Sequence, residues 1–273
     1  MARDDYQKRL ERHLVAYKKR CLGVLDDGEF VFNKQRYPKP HILPVEVQWL
    51  NIPEPYRAEI QSFVSISNRI KLHQYFHHLN SSQAFALALF LPFLWHARHE
   101  LVCALGGTDI DEWELERIPE PRENTNVDVW WRAADGAETY CEVKLSEREF
   151  GSATDDARHR RKLNDIYGPV LRGQIDDGLL EPTEFFANYQ ILRNLWLAAR
   201  PGHERDRVVF VFPGANVGIG AQLAAVLAEV AAALRERVAV VHVERLLETL
   251  AADTSPNSLG WYAGLLRDKY VPE

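Results

Sequence analysis

The stretch Asn126–Leu145, NVDVWWRAADGAETYCEVKL, decides the fold. Asp135-Gly136 is a strong turn signal between two runs rich in Val, Trp, Thr and Tyr, the composition of paired strands. A turn centred near Asp135 pairs residues whose numbers sum to about 270. Asp128 then faces Glu142, Trp130 faces Tyr140, and Arg132 faces Glu138. Side chains alternate along a strand, so Val127, Val129, Trp131, Cys141 and Val143 share an apolar face that suits a core. The opposite face gathers Asp128, Glu142 and Lys144 at the open end of the hairpin. A slip of one residue would undo this alignment.

Alternation alone explains CEVKL as a half-buried strand with a solvated ion pair, which contributes little to stability. Two carboxylates directly opposite each other are nevertheless destabilising in a plain sheet. Lys144 relieves only part of that repulsion. A divalent cation between the acids relieves it fully, and hard carboxylate oxygens suit Mg²⁺ or Mn²⁺. Water bound to such a cation is easier to deprotonate, and a nearby ammonium steadies negative charge on a phosphate. Asp128, Glu142 and Lys144 together therefore suit metal-dependent phosphodiester hydrolysis.

Consecutive strand candidates at 113–118, 126–132 and 138–145 are followed by helical segments near 153–165 and 183–199. RVVFVFP (207–213) and VAVVHV (238–243) read as further strands, separated by the alanine-rich helix AQLAAVLAEVAAALRER and followed by a helix at 244–251. This order predicts an α/β or α+β fold with a central mixed sheet covered on both faces. Upstream, 3–22 reads as an amphipathic helix, and the proline-rich stretch to residue 65 as irregular connections without a core of their own. Asn80, Ser81 or Ser82 caps one long buried helix that ends at Gly106-Gly107. The expected organisation is an N-terminal extension, 1–65, and a single catalytic domain, 66–273.

The 273 residues carry 46% hydrophobic and 26% charged side chains, an ordinary globular composition. No apolar run reaches the roughly 18 residues of a membrane span. MARDDYQKRLERHL lacks the apolar run of a signal peptide, and three scattered cysteines suggest neither disulfides nor a zinc knuckle, so a cytoplasmic protein is expected. A net charge of -6 excludes a protein that coats nucleic acid non-specifically, but not an enzyme with a local basic face. His73/His77 and His96/His99 have no matching third ligand and do not form HExxH. The glycines of FPGANVGIG lack dinucleotide-binding spacing and read as a turn into the next helix. Cys141 alternates onto the apolar face, as a core residue.

Asp128 on one strand and Glu142-Val143-Lys144 on the next resemble the PD-(D/E)xK nuclease superfamily, with Val127 where a proline often stands. LNSSQAF (79–85) and FFANYQILRNLWLA (185–198) resemble segments of bacterial restriction endonucleases, extending the resemblance over about 79–200. It implies an α-β-β-β-α-β core, Mg²⁺-dependent DNA cleavage, and a metal-assisting carbonyl at Val143. It also implies site roles for Gln190 or Tyr189 and for Gln83, and for Arg193 as a contact to nucleic acid. On the residues alone, Gln83 equally suits a helix cap, and Gln190 with Arg193 equally suits a structural helix face. Arg158, Arg160, Arg161 and Lys162 form either a solvated helix face or a contact to DNA phosphates.

The reading is therefore a metal-dependent DNA endonuclease of restriction type. A homodimer is expected, because cutting both strands with one site per chain calls for two subunits. No partner methyltransferase is visible in the sequence. The competing readings are a nuclease fold that binds DNA or protein without cutting, and a nuclease acting on RNA or on branched or modified DNA.

Overall fold

The structure, a computed structural model, describes residues 3–272. The chain forms two compact units, one made of Met1–Gly107 with His242–Glu273 and the other of Thr108–Val241. The first unit thus takes in 66–107 and the C-terminal helices along with the segment expected to be an extension. No helix among the described residues is long and apolar enough to cross a membrane.

In the first unit, helix α1 (Arg3–Cys21) buries Leu10 and Leu14. The stretch to residue 65 is more ordered than its prolines suggest. Strands β1 (Gly28–Phe32) and β2 (Gln35–Lys39) form a hairpin, closed by Asn33 and Lys34 at positive φ. Pro44 and Pro53 do not interrupt structure; they occupy the N-cap positions of a 3-10 turn (Val45–Asn51) and of α2 (Glu54–Ile66). Proline is well tolerated at helix starts, where its missing N–H has no partner to lose. Ile42, Leu43, Ile52 and Ile60 are fully buried, so this stretch does contribute to a core.

The helix expected from about residue 80 to Gly106 is two helices, α3 (Ser82–His96) and α4 (Arg98–Ala104), broken at Ala97. Ser81 caps the first by accepting from the Ala84 N–H. Residues 84–94 are buried all round, as an apolar helix without a polar face requires. Pro92 lies inside α3 and cannot donate to the Ala88 carbonyl one turn earlier. That carbonyl instead accepts from the Tyr262 hydroxyl at 2.8 Å. The helices α11 (Val243–Ala251) and α12 (Gly260–Tyr270) complete this unit.

The second unit is built on strands β3 (Glu112–Arg117), β4 (Val127–Arg132), β5 (Glu138–Val143), β6 (Arg207–Phe212) and β7 (Val238–His242), side by side in chain order. The first three are antiparallel, whereas β5 and β6 run parallel. The crossover between β5 and β6 carries α5 (Ala157–Lys162), a π-helical turn (Leu163–Tyr167), α6 (Gly168–Leu171), α7 (Pro182–Ala187) and α8 (Tyr189–Ala199). Helices α9 (Val217–Ala228) and α10 (Ala232–Arg235) precede β7. Val217, Gly218 and Gly220, expected in a turn, already belong to α9.

The β4–β5 register agrees with the sequence: Trp130 opposes Tyr140 and Arg132 opposes Glu138. Gly136, at φ +87°, supplies the left-handed turn residue that the hairpin needs. The face carrying Trp130 and Tyr140 packs, with Phe210 of β6, against Leu192, Leu195 and Trp196 of α8. The other face is also buried, at Val129, Trp131 and Cys141. The acids thus lie in a sheet covered on both sides.

Tyr262→Phe should destabilise the protein by about 1–3 kcal/mol, because it leaves the buried Ala88 carbonyl without a donor. Adding Pro92→Ala restores a helical N–H to that carbonyl, so the double variant should melt above Tyr262→Phe alone. Equal melting of the two would show that the Tyr262 hydroxyl does not serve this carbonyl.

Candidate active site

Asp128 enters the site at the start of β4 and Glu142 near the end of β5, one step beyond the last paired residues, Val129 and Cys141. The pairing closes further through the side chain, since the Val143 N–H donates to Asp128 Oδ2 at 2.7 Å. Lys144 follows directly, with its own N–H bound to the Val211 carbonyl of β6. The backbones of three neighbouring strands thus position these groups.

Glu142 is 2% exposed and Lys144 8%, which excludes a solvated strand face. The Lys144 ammonium lies 2.6 Å from Glu142 Oε1. On the other oxygen, Oε2, Arg193 Nη2 and Asn194 Nδ2 each donate at 3.0 Å. A buried carboxylate survives only when paired and hydrogen-bonded in this way. Burial works to raise the Glu142 pKa, but the Lys144 and Arg193 cations outweigh it and hold the carboxyl below its ordinary value. Burial likewise works to lower that of Lys144, and the charges of Glu142 and Asp128 outweigh it and raise it.

Asp128 differs. Burial and then the charge of Glu142 push its pKa up to about 8, against the opposing pull of Lys144 and the Val143 N–H. Its Oδ1 accepts no hydrogen bond among the described residues, and Oδ2 accepts only the Val143 N–H. The two acids are therefore unlike: Glu142 is satisfied as an anion, whereas Asp128 lacks a positive partner. A cation fits that lack. Asp128 Oδ1 and the remaining lone pair of Glu142 Oε1 suit it.

Other expected residues have different places. Arg193 is 3% exposed and bound to Glu142, so it cannot reach nucleic acid as expected; it holds the acid. Gln190 uses its Oε1 on the Gly151 N–H at 2.8 Å, and Gly151 returns its carbonyl to the Gln190 N–H. A Cβ at Gly151 would stand 2.6 Å from Gln190 Cδ, so this close approach of the loop after Lys144 needs glycine. The Tyr189 hydroxyl bonds to that of Tyr167 at 2.7 Å and to Glu123 Oε1 at 3.0 Å. Gln83 belongs to the first unit, where its amide bonds the His73 N–H and the Lys71 carbonyl. Arg160 is clamped by both oxygens of Asp155, at 2.5 and 2.7 Å. Lys162 points its ammonium at the Glu123 carbonyl and carboxylate. Arg158 and Arg161 have no side-chain partner among the described residues.

Two groups went unread. Asn194 stands beside Arg193 in the otherwise apolar run ILRNLWLA, where two adjacent polar residues inside a buried helix signal a buried partner. Glu123, 1% exposed, lies in a loop without periodicity, so nothing marked it. Burial works to raise its pKa, but hydrogen bonds from Thr125 and Tyr167 prevail and lower it.

A second cluster, Glu138, His203 and Asp206, brings three ligand-type atoms within 4.8 Å of one another. It sits near the turn end of the hairpin, four residues along β5 from Glu142, or about 13 Å. Both oxygens of Asp206 are occupied: Oδ1 takes the Glu138 N–H, and Oδ2 takes His203 Nδ1 and the Tyr140 hydroxyl. Glu138 Oε2 takes Trp130 Nε1. Cys141 is fully buried, and burial raises its thiol pKa well above the ordinary value, so it is no nucleophile.

Residues 11–271 match the family described as "Restriction Endonuclease associating with ARP". The chain belongs to this family. No curated protein and no solved structure matches it. The family match spans both units, so it covers the hairpin, α8 and the helices of the first unit alike.

The sign of the Asp128 shift yields a stability prediction. Below the ordinary value of 3.8 the carboxyl is neutral whether folded or unfolded and costs nothing. As pH rises from there towards about 8, the unfolded chain releases a proton that the folded protein retains, and stability falls. At pH 7 in EDTA, Asp128→Asn should therefore melt no lower than the parent, with its advantage gone near pH 3.5. Added Mg²⁺ should raise the parent more than the variant. A variant that melts clearly lower at pH 7 would mean that the Asp128 charge supports the fold.

Proposed function

We propose that this protein is a metal-dependent endonuclease of the PD-(D/E)xK type that hydrolyses DNA phosphodiester bonds. The observation that carries the reading is the asymmetric pair of acids: a buried, ion-paired Glu142 beside a half-buried Asp128 with a free oxygen and no ion pair among the described residues. Membership of a family described by a restriction endonuclease supports DNA as the substrate.

Asp128, Glu142 and the Val143 carbonyl would hold Mg²⁺, with Mn²⁺ as a substitute. When bound, the cation supplies positive charge to the phosphate and makes a water easier to deprotonate. The chain's own groups do the rest. Lys144 keeps its proton, because the acids raise its pKa, so it is not the base. Its ammonium orients the attacking water and steadies charge that grows on the phosphate oxygens. Arg193 and Asn194 keep the Glu142 carboxylate in one orientation. No reactive side chain stands ready to form a covalent intermediate, so attack is by water, in line with the leaving oxygen. Cutting of both strands would be served by two copies of the chain about a two-fold axis.

One observation favours a second reading, a fold that binds DNA or protein without cutting. Lys144, Arg193 and Asn194 already satisfy Glu142 as an internal ion cluster. Plasmid and linear DNA, incubated with Mg²⁺, Mn²⁺ or EDTA, separate the two. The nuclease reading expects cutting with either metal and none in EDTA, and a loss of roughly 100-fold or more in Lys144→Ala. Tight DNA binding without cutting under every metal condition would establish the second reading instead.

A further inference from the structure

Three guanidinium groups in the second unit have no ion pair and no side-chain hydrogen bond among the described residues, and they meet in one place. Arg122, Arg158 and Arg161 line a recess of about 350 Å³ together with Lys162, Asp165 and Ile166. The single carboxylate there, Asp165, pairs with none of them. Lys162 is already committed to Glu123. Three uncommitted cations around a small concavity repel one another, and the chain as a whole is acidic, at -6. An anion in the recess relieves that repulsion, and guanidinium forks match the oxygens of a phosphate.

The recess is assembled from the segments that enter and leave the catalytic hairpin. Arg122 lies six residues before Asp128, and Arg158 to Ile166 follow Lys144 through α5 and the π-helical turn. Six residues span at most about 22 Å, so Arg122 stands within about six nucleotide steps of the acids along a strand. Its floor is fixed to the site's own helix: Lys162 binds Glu123, and Glu123 accepts from Tyr189, at the start of α8, which also carries Arg193 and Asn194.

We propose that this recess is a phosphate subsite that takes a backbone phosphate of the substrate strand, away from the bond that is cut. The assignment rests on the nuclease reading above. It also divides the basic run of α5: Arg158 and Arg161 serve the strand with Arg122, a residue outside that run, whereas Arg160 is held by Asp155 and does not.

The test is the salt dependence of binding to a labelled DNA duplex, with Ca²⁺ in place of Mg²⁺, for the parent and four variants. Arg122→Ala and Arg161→Ala should each lower the slope of log K against log salt by about one, and the double variant by about two. Arg160→Ala is expected to keep the parent slope. Thermal melts check that each variant folds; Arg122 and Arg161 are exposed and have no side-chain partner among the described residues, so their loss should not lower the melting temperature. A double variant with the parent slope, while the parent cuts DNA, overturns the recess and leaves the nuclease reading standing. An equal drop in Arg160→Ala overturns it too, since general surface charge would then be responsible. Inorganic phosphate or a mononucleotide that stabilises the parent but not the double variant, with no change in the DNA slope, would assign the recess to a free anion. A parent that neither binds nor cuts DNA removes both readings together.

Discussion

The second unit is arranged around one buried negative charge. Glu142 can remain ionised at 2% exposure only because Lys144, Arg193 and Asn194 donate to its two oxygens. Breaking such a pair from one side typically costs about 3–5 kcal/mol, because the remaining charge stays buried. This requirement explains why α8 lies where it does. The helix must cover Trp130, Tyr140 and Phe210 with its apolar residues while turning Arg193 and Asn194 towards the acid. Gln190 and Gly151 then hold the loop after Lys144 close to the same helix.

The network stops short of Asp128. Lys144, Arg193 and Asn194 direct their hydrogen bonds to Glu142, whereas Asp128 receives one backbone N–H. A fold built only for stability would place an apolar side chain there, since a half-buried acid without an ion pair costs more than it returns. An acid kept in that position makes sense when something charged is meant to bind. The cluster of Glu138, His203 and Asp206 shows the contrast. There Asp206 receives Tyr140, His203 and the Glu138 backbone N–H, and Glu138 receives Trp130 and Tyr140.

Much of this was legible in the sequence, for identifiable reasons. The turn at Asp135-Gly136 fixed the hairpin register, and the register aligned Asp128 with Glu142. The order of strands and helices foretold the mixed sheet. Periodicity says nothing about which face of a strand lies under a helix, so the depth of Glu142 and Lys144 was invisible. For the same reason Arg193 read as a surface cation, although it is a buried partner of Glu142. For Arg160 the sequence left a solvated helix face and a phosphate contact open; Asp155 captures it five residues away, a local pairing that leaves Arg161 and Arg158 to the recess. Prolines marked boundaries, but Pro44 and Pro53 mark the starts of helices, not an unstructured linker.

The central claim is that Asp128 takes a divalent cation. Direct titration with Mn²⁺, followed by its electron paramagnetic resonance signal and by competition with Mg²⁺, tests it without depending on any substrate. The account predicts one competable ion per chain, lost in Asp128→Asn and retained in His203→Ala. Binding that survives Asp128→Asn, and disappears instead in His203→Ala, would contradict it and move the metal to the other end of the hairpin.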